Sequence, residues 1–149
     1  MTVIVRQYQD TDLDGFVFRP EDEAEAAKAQ HGSCRGVIAD ALANGSVFTV
    51  IDTLGTPFSF FGRILDEDGA SFIWMQSSAE LFKHGFVFIK GMITVLQRWS
   101  EDSPMLYTYV NPKEVRQVRL LRALGFTAVR CVGYGGDPTN PYYEMLRLS

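Results

Sequence analysis

The sequence predicts an α+β protein: a mixed, mostly antiparallel, twisted sheet with helices on both faces. Three observations carry that expectation. Three β-rich runs between Ser46 and Gln76 are separated only by tight turns, the pattern of an antiparallel meander. A long amphipathic helix separates them from the next run, Met105 to Val110, and a helical crossover of this kind joins parallel strands. Finally, Val47 to Ile51 and Phe72 to Met75 are apolar throughout instead of alternating, as in strands covered on both faces. With 149 residues and 46% hydrophobic content, the chain is expected to form a single domain over 1–149 with a substantial core.

Val3 to Arg6 is a short β-branched run, and Gln9, Asp10, Thr11 and Asp12 follow as a polar turn, with a loop or helical turn through Phe16. Pro20 and the acids Glu21, Asp22 and Glu23 suit a first helical turn, where the dipole favours negative charge, and the helix runs on to Gln30. Its apolar face is only alanine, so a thin, solvated helix is expected. Gly32 stops it, and Ser33 caps a second helix with Val37, Ile38, Ala41 and Leu42 on one face, ended by Asn44 and Gly45.

The meander strands are Ser46 to Asp52, Pro57 to Leu65 and Ser71 to Gln76, with turns at Leu54 to Thr56 and Asp66 to Gly69. Ser77 and Glu80 have capping-box spacing for a short helix reaching Gly85. Phe88, Ile89, Met92, Ile93, Leu96 and Trp99 then mark the long helix. After the strand Met105 to Val110, Asn111 is placed to cap a helix, Pro112 to open it and Gly125 to stop it. Ala128 to Val132 and Tyr142 to Leu148 close the sheet around a Gly- and Pro-rich loop.

Net charge −4 offers no general attraction for nucleic acid or anionic membrane. No signal-peptide pattern or membrane-spanning run is visible, and a reducing cytoplasm with Cys34 and Cys131 as free thiols is the expectation. Neither cysteine has ligand-spaced neighbours, so no metal is expected. Asp10 and Asp12 could pair on a metal, but a turn capped by carboxylates is the simpler reading. Lys113, Arg116, Arg119, Arg122 and Arg130 could line a phosphate or partner site, against a plain solvated face.

The order of elements, with the strand ending at Val110, the Asn111 helix and the Leu124, Gly125, Phe126 ending, resembles the GNAT superfamily of acyl-CoA-dependent N-acetyltransferases. The resemblance implies an acetyl-CoA site at the loop after the fourth strand, where closely spaced glycines expose backbone amides to the diphosphate. Here that loop runs from Gln76 to Gly91; Gly85 and Gly91 are six apart with Phe86 and Phe88 between them, and Glu80 adds negative charge. The residues the resemblance would place on the cofactor are Met75, Gln76, Ser77, Ser78, His84, Gly85 and Asn111. His84 could also act as a base, although a helix cap or surface residue is the plainer alternative.

Many enzymes of that superfamily carry a general-acid tyrosine four residues before the glycine of the Gly-Phe ending; in this sequence Leu121 stands there. Tyr107, Tyr109 or Tyr134 could substitute in space, so no residue is assigned a catalytic role. The segment from Val47 to Phe126 is similar to a small phage-encoded GNAT-like family that includes internal virion proteins of short-tailed phages. That similarity implies a non-catalytic virion or host-protein-binding component in the host cytoplasm or virion, with a protein partner, no nucleic acid or membrane, and no cofactor. The alternative is an active N-acetyltransferase using acetyl-CoA through an atypical loop.

Overall fold

The computed structural model describes residues 3–28, 32–133 and 138–148, and these fall into two compact units. The first comprises Met1–Arg63 with Trp74–Phe88, and the second Ile64–Ile73 with Ile89–Ser149. The seven strands among the described residues are β1 (Ile4–Gln7), β2 (Phe48–Ile51), β3 (Pro57–Leu65), β4 (Ser71–Ser77), β5 (Met105–Val110), β6 (Thr127–Gly133) and β7 (Pro141–Leu148). They hydrogen-bond in the order β1-β2-β3-β4-β5-β7-β6, and the α+β class with a mixed sheet is what the chain adopts. The helices are α1 (Pro20–Lys28), α2 (Cys34–Asn44), α3 (Gly85–Asp102) and α4 (Val115–Ala123).

In the first unit β1 pairs antiparallel with β2, and β2 with β3. Phe58, Phe60, Phe61, Leu81 and Phe88 are essentially inaccessible. Fully burying one such side chain contributes about 1.5–3 kcal/mol, and the consecutive Phe60 and Phe61 place theirs on opposite faces of the sheet. Gly62 is required by packing: a Cβ there would lie 2.7 Å from the indole nitrogen of Trp74. Ser33 caps α2 as expected, accepting from the Gly36 amide at 3.0 Å. Glu23 accepts from the Cys34 amide at 3.0 Å, tying α1 to α2.

The buried apolar residue of α1 is an alanine, as expected, but a carboxylate shares its face. Asp22 is buried with Ala26, four residues on and therefore on the same helix face. The end of the helix expected at Ala29 and Gln30 lies outside the described residues.

In the second unit the β3–β4 hairpin closes on Asp66, whose side chain accepts from the amides of Asp68 and Ala70 at 2.9 and 3.0 Å. β4 pairs parallel with β5 through Ser71 with Leu106 and Phe72 with Tyr107, as the crossover predicts. β5 pairs with β7 and β7 with β6, all antiparallel, so the earlier of the two closing strands lies outermost. Hydrophobic patterning cannot order two such strands, because either order covers the same apolar residues.

Both helices that this unit contains, α4 and the later part of α3, lie over the face carrying Ser71, Leu106 and Arg147. The Ser103 and Ser71 hydroxyls are 2.7 Å apart. Arg147 donates to the Ser100 hydroxyl and the Leu124 carbonyl, each at 2.9 Å. Leu96, Trp99, Leu106, Leu121, Leu124 and Met145 form the core beneath.

Three helix starts or ends differ from expectation. Ser77 is the last residue of β4, not a cap; Ser78 is the cap, accepting from the Glu80 amide, and Ala79–His84 is a 3-10 helix. The long helix extends to Asp102, past Trp99. The Asn111 and Pro112 pair forms a turn ahead of α4, which starts at Val115 behind Glu114. Asn111 satisfies the Lys113 amide through its side chain and the Glu114 amide through its carbonyl, each at 3.0 Å, a local closure that Asn favours in turns. Cys34 and Cys131 are free thiols, the first buried and the second exposed.

Candidate functional site

The turn that follows β4 lies within the first unit, and its polar groups are largely committed to the chain itself. The Ser78 amide donates to the Phe58 carbonyl on β3 at 3.0 Å. By strand alternation the amide and carbonyl of Ser77 therefore point away from β3. They are met there by the start of α1: the Ser77 amide donates to Asp22 Oδ2 at 2.9 Å, and the Ser77 carbonyl accepts from the Arg19 amide at 2.8 Å. Arg19 and Asp22 are themselves buried and 3.3 Å apart. Half-buried Met75 presents its backbone groups to the same edge as Ser77.

The side chains are similarly engaged. Gln76 Oε1 accepts from the Cys34 thiol at 2.7 Å. Burial, followed by the neighbouring carboxylate Glu23, pushes that thiol far above its ordinary value, so it is an inert hydrophobe. The Ser77 hydroxyl pairs with that of Ser59 at 2.9 Å.

The expected anion loop is replaced by continuous helix. The 3-10 segment runs into α3 through Gly85 at φ −51 and ψ −48, ordinary helical values, with open space where a Cβ would be. Gly85 thus serves neither a left-handed turn nor a close approach. Phe88 is buried, Phe82 lies under the Arg19 guanidinium at 5.0 Å, and Phe86 is 76% exposed. The amides of Ser77, Ser78, Glu80 and Leu81 all have acceptors inside the chain. These residues do not offer a diphosphate the free amides of the superfamily's usual cradle.

His84 is neither a cap nor a free surface residue. Its ring lies 4.9 Å from that of Phe58, and its Nδ1 is buried with no hydrogen-bond partner among the described residues.

The second corner belongs to the second unit. Leu121 is buried, and its carbonyl accepts from the Phe126 amide at 3.0 Å while the Gly125 amide donates to Arg122. Gly125, at φ +97, supplies the left-handed residue of this helix stop. Tyr109 reaches Glu144 at 3.4 Å, and burial together with that carboxylate raises its pKa. Burial and Asp66 do the same for Tyr107. Both phenols therefore hold their protons more tightly than a free tyrosine. Tyr134 lies outside the described residues.

Asp12 belongs to a fold-building network. It is bidentate with Arg6 at 2.7 and 2.8 Å and accepts from the Thr49 hydroxyl and the Gln9 amide. Burial pushes its pKa up, but the hydrogen bonds from Arg6, Gln9 and Thr49 outweigh that and hold it below the usual carboxylate range. Among the described residues no group of three or more His, Cys, Asp or Glu side chains could hold a metal. Lys113, Arg116, Arg119 and Arg122 are exposed, and Arg130 pairs with Glu144 at 3.0 Å.

Arg19 and Asp22 are the residues of this turn that sequence reasoning missed. Glu21, Asp22 and Glu23 look equivalent as first-turn acids; only the i, i+4 alignment of Asp22 with Ala26 marks it as facing inward.

No protein-family model and no curated protein matches the sequence. Solved structures do match in shape over nearly the whole chain. A GNAT-family acetyltransferase from Bacillus anthracis superposes with a TM-score of 0.74 at 11% identity, covering 99% of this chain and 95% of that one. The chain has the GNAT fold. AAC(6')-Ib in complex with ribostamycin and coenzyme A gives 0.71 at 16% identity, over 99% and 94% of the two chains. A spermidine N-acetyltransferase SpeG chimera from Vibrio cholerae and hSSAT gives 0.68 at 12%, over 99% and 96%. At these identities the likeness speaks for the fold alone. Among the described residues no helix is long and apolar enough to cross a membrane.

Proposed function

We propose that this chain keeps the GNAT fold without the superfamily's acetyl-transfer machinery and works by binding a protein partner, as a phage virion component or on a host protein. The observation that carries the reading is the pairing of Ser77 with Asp22 and Arg19. In a strand edge that receives a pantetheine arm, those backbone groups are the ones left free for the ligand's amides. Leu121 adds to it, since a buried leucine has no proton to give to a leaving thiolate. The phage setting rests on the similarity carried by Val47 to Phe126, and the exclusion of nucleic acid and membrane on the net charge of −4.

The second reading is an active N-acetyltransferase, and one observation favours it specifically. His84 Nδ1 is buried and unpaired beside Gly85, where a bound group could satisfy it. Structural neighbours solved with coenzyme A or acetyl-CoA keep the reading in play. In it, Met75, Gln76, Ser77, Ser78, His84 and Gly85 would contact the cofactor once Asp22 and Arg19 gave way.

A thermal-shift titration with acetyl-CoA and with CoA separates the two. A ligand at a hundred times its dissociation constant stabilises by about 2.7 kcal/mol. The binding reading expects no saturable rise with either compound, and a saturable rise with either overturns it.

A further inference from the structure

We propose that the face of the second unit opposite its contacts with α3 and α4, centred on Phe72, Tyr107 and Tyr109, docks a basic segment of a partner protein through Arg or Lys side chains laid on its rings. The inference names the partner class that the binding reading leaves open and rests on that reading.

Strand register puts Phe72, Tyr107 and Leu146 side by side across β4, β5 and β7, with Tyr109 and Glu144 two residues along. Alternation sends these side chains to the face opposite Ser71, Leu106 and Arg147, and that other face is where α3 and α4 of this unit make their contacts. The three rings touch one another, with centroids 5.6, 6.0 and 6.1 Å apart. All three remain half-buried, and Ile64 and Leu148 on the same face are 56% and 70% exposed. The result is a continuous, partly wet π surface instead of a closed core.

The charges around it select the occupant. Asp66 stands near enough to the Tyr107 hydroxyl to raise its pKa, and Glu144 accepts from Tyr109 at 3.4 Å. Glu67 and Asp68 are exposed in the same hairpin turn. Among the described residues of this unit, Arg130 is the guanidinium on this face that stands against these four carboxylates, and Glu144 already engages it. Ring faces carry negative quadrupole density, and carboxylates accepting from phenols increase it. An anionic ligand would meet repulsion from every side. A guanidinium or ammonium gains cation–π contact and the field of the turn, and a flanking apolar residue can cover Ile64 and Leu148.

The probe is a fluorescein-labelled peptide alternating Arg and Gly, followed by anisotropy against the full chain, with a Glu and Gly peptide as control. We expect saturable binding of the basic peptide only, weakened by added salt. Tyr107→Leu with Tyr109→Leu should weaken it about tenfold or more, while Tyr107→Phe with Tyr109→Phe, which keeps the rings, should stay within about threefold. Should the leucine pair lower the melting temperature, the exposed pair Glu67→Lys with Asp68→Lys tests the same surface without touching the core, and about a tenfold loss is again expected. Equal binding of both peptides, no saturable binding, or affinity unchanged by the leucine and lysine pairs would overturn the proposal. So would self-association of the protein that the leucine pair abolishes in the absence of peptide binding. Peptide failure without a CoA response sinks this inference and leaves the binding reading standing, whereas a saturable CoA response counts against that reading whatever the peptide does.

Discussion

Two turns of this chain each follow a strand and lead into a helix, and they are held by opposite means. From Asn111 to Phe126 the chain closes on itself: Asn111 satisfies the Lys113 and Glu114 amides, and Phe126 and Gly125 satisfy the end of α4. At Ser77, the group that satisfies the backbone amide is Asp22, 55 residues earlier in the chain. The first turn carries the Asn111 and Gly125 positions that build it, with buried Leu121 between them. The second lies where a cofactor would be expected, and the protein's own residues occupy the edge. The turn after β5 is closed by residues close in sequence, while the edge after β4 is closed by the start of α1, far away in the chain.

The largest expected effect tests whether that interior is real. Asp22→Ala removes a buried carboxylate partner of Arg19 and leaves the Ser77 amide without its acceptor, with exposed Glu21 at 3.6 Å from Arg19 as a poor replacement. Breaking a buried pair by removing one member costs about 3–5 kcal/mol, and a protein of this size loses about 2–4 °C in Tm per kcal/mol. Urea unfolding of the variant measures it. A loss below about 1 kcal/mol would mean that the turn after β4 does not depend on α1 and that its edge opens readily.

The difference between the two turns also explains what could be read from the sequence. The meander, the crossover, the parallel β4–β5 pair and the Gly125 stop are all dictated by residues close in sequence or by periodicity. Ser33 as the cap of α2 is of the same kind. The helix starts near Ser77 and Asn111 lie one and three residues later than expected, because Ser77 and Ser78 compete for one cap and Asn111 closes a turn as well as it caps a helix. What periodicity could not deliver was contact between distant polar groups. Asp22 with Ser77, Cys34 with Gln76, and Tyr109 with Glu144 each need the fold before they meet.

Asp12 stands between the two cases, because its partners include nearby Arg6 and Gln9 and distant Thr49. Its folded pKa is held below the unfolded value of about 3.9, so its contribution is fully present above that pH and lost as pH falls through the lower folded value. Wild-type stability should therefore lose the contribution of this group on acidification below about pH 4. Asp12→Asn should start less stable at neutral pH and show a shallower acid limb in chemical unfolding. Parallel pH profiles for the two proteins would remove Asp12 from the account.

The smallest expected effect sets one glycine of each turn against the other. Gly125 has a left-handed backbone, and a Cβ there would sit 3.0 Å from Arg147 Nε, so Gly125→Ala should destabilise by about 1–2 kcal/mol. Gly85 has helical angles and open space around the missing Cβ, so Gly85→Ala should be neutral or stabilising by up to about 1 kcal/mol. The pair of melting temperatures gives the sign of each directly. A glycine kept for close approach to a diphosphate has a function that a methyl group would block; one that tolerates the methyl in both stability and ligand response is only the first residue of a helix. If Gly85→Ala instead lowered the melting temperature as Gly125→Ala does, the backbone after β4 would have to visit a non-helical conformation, and the case for a latent anion loop there would strengthen.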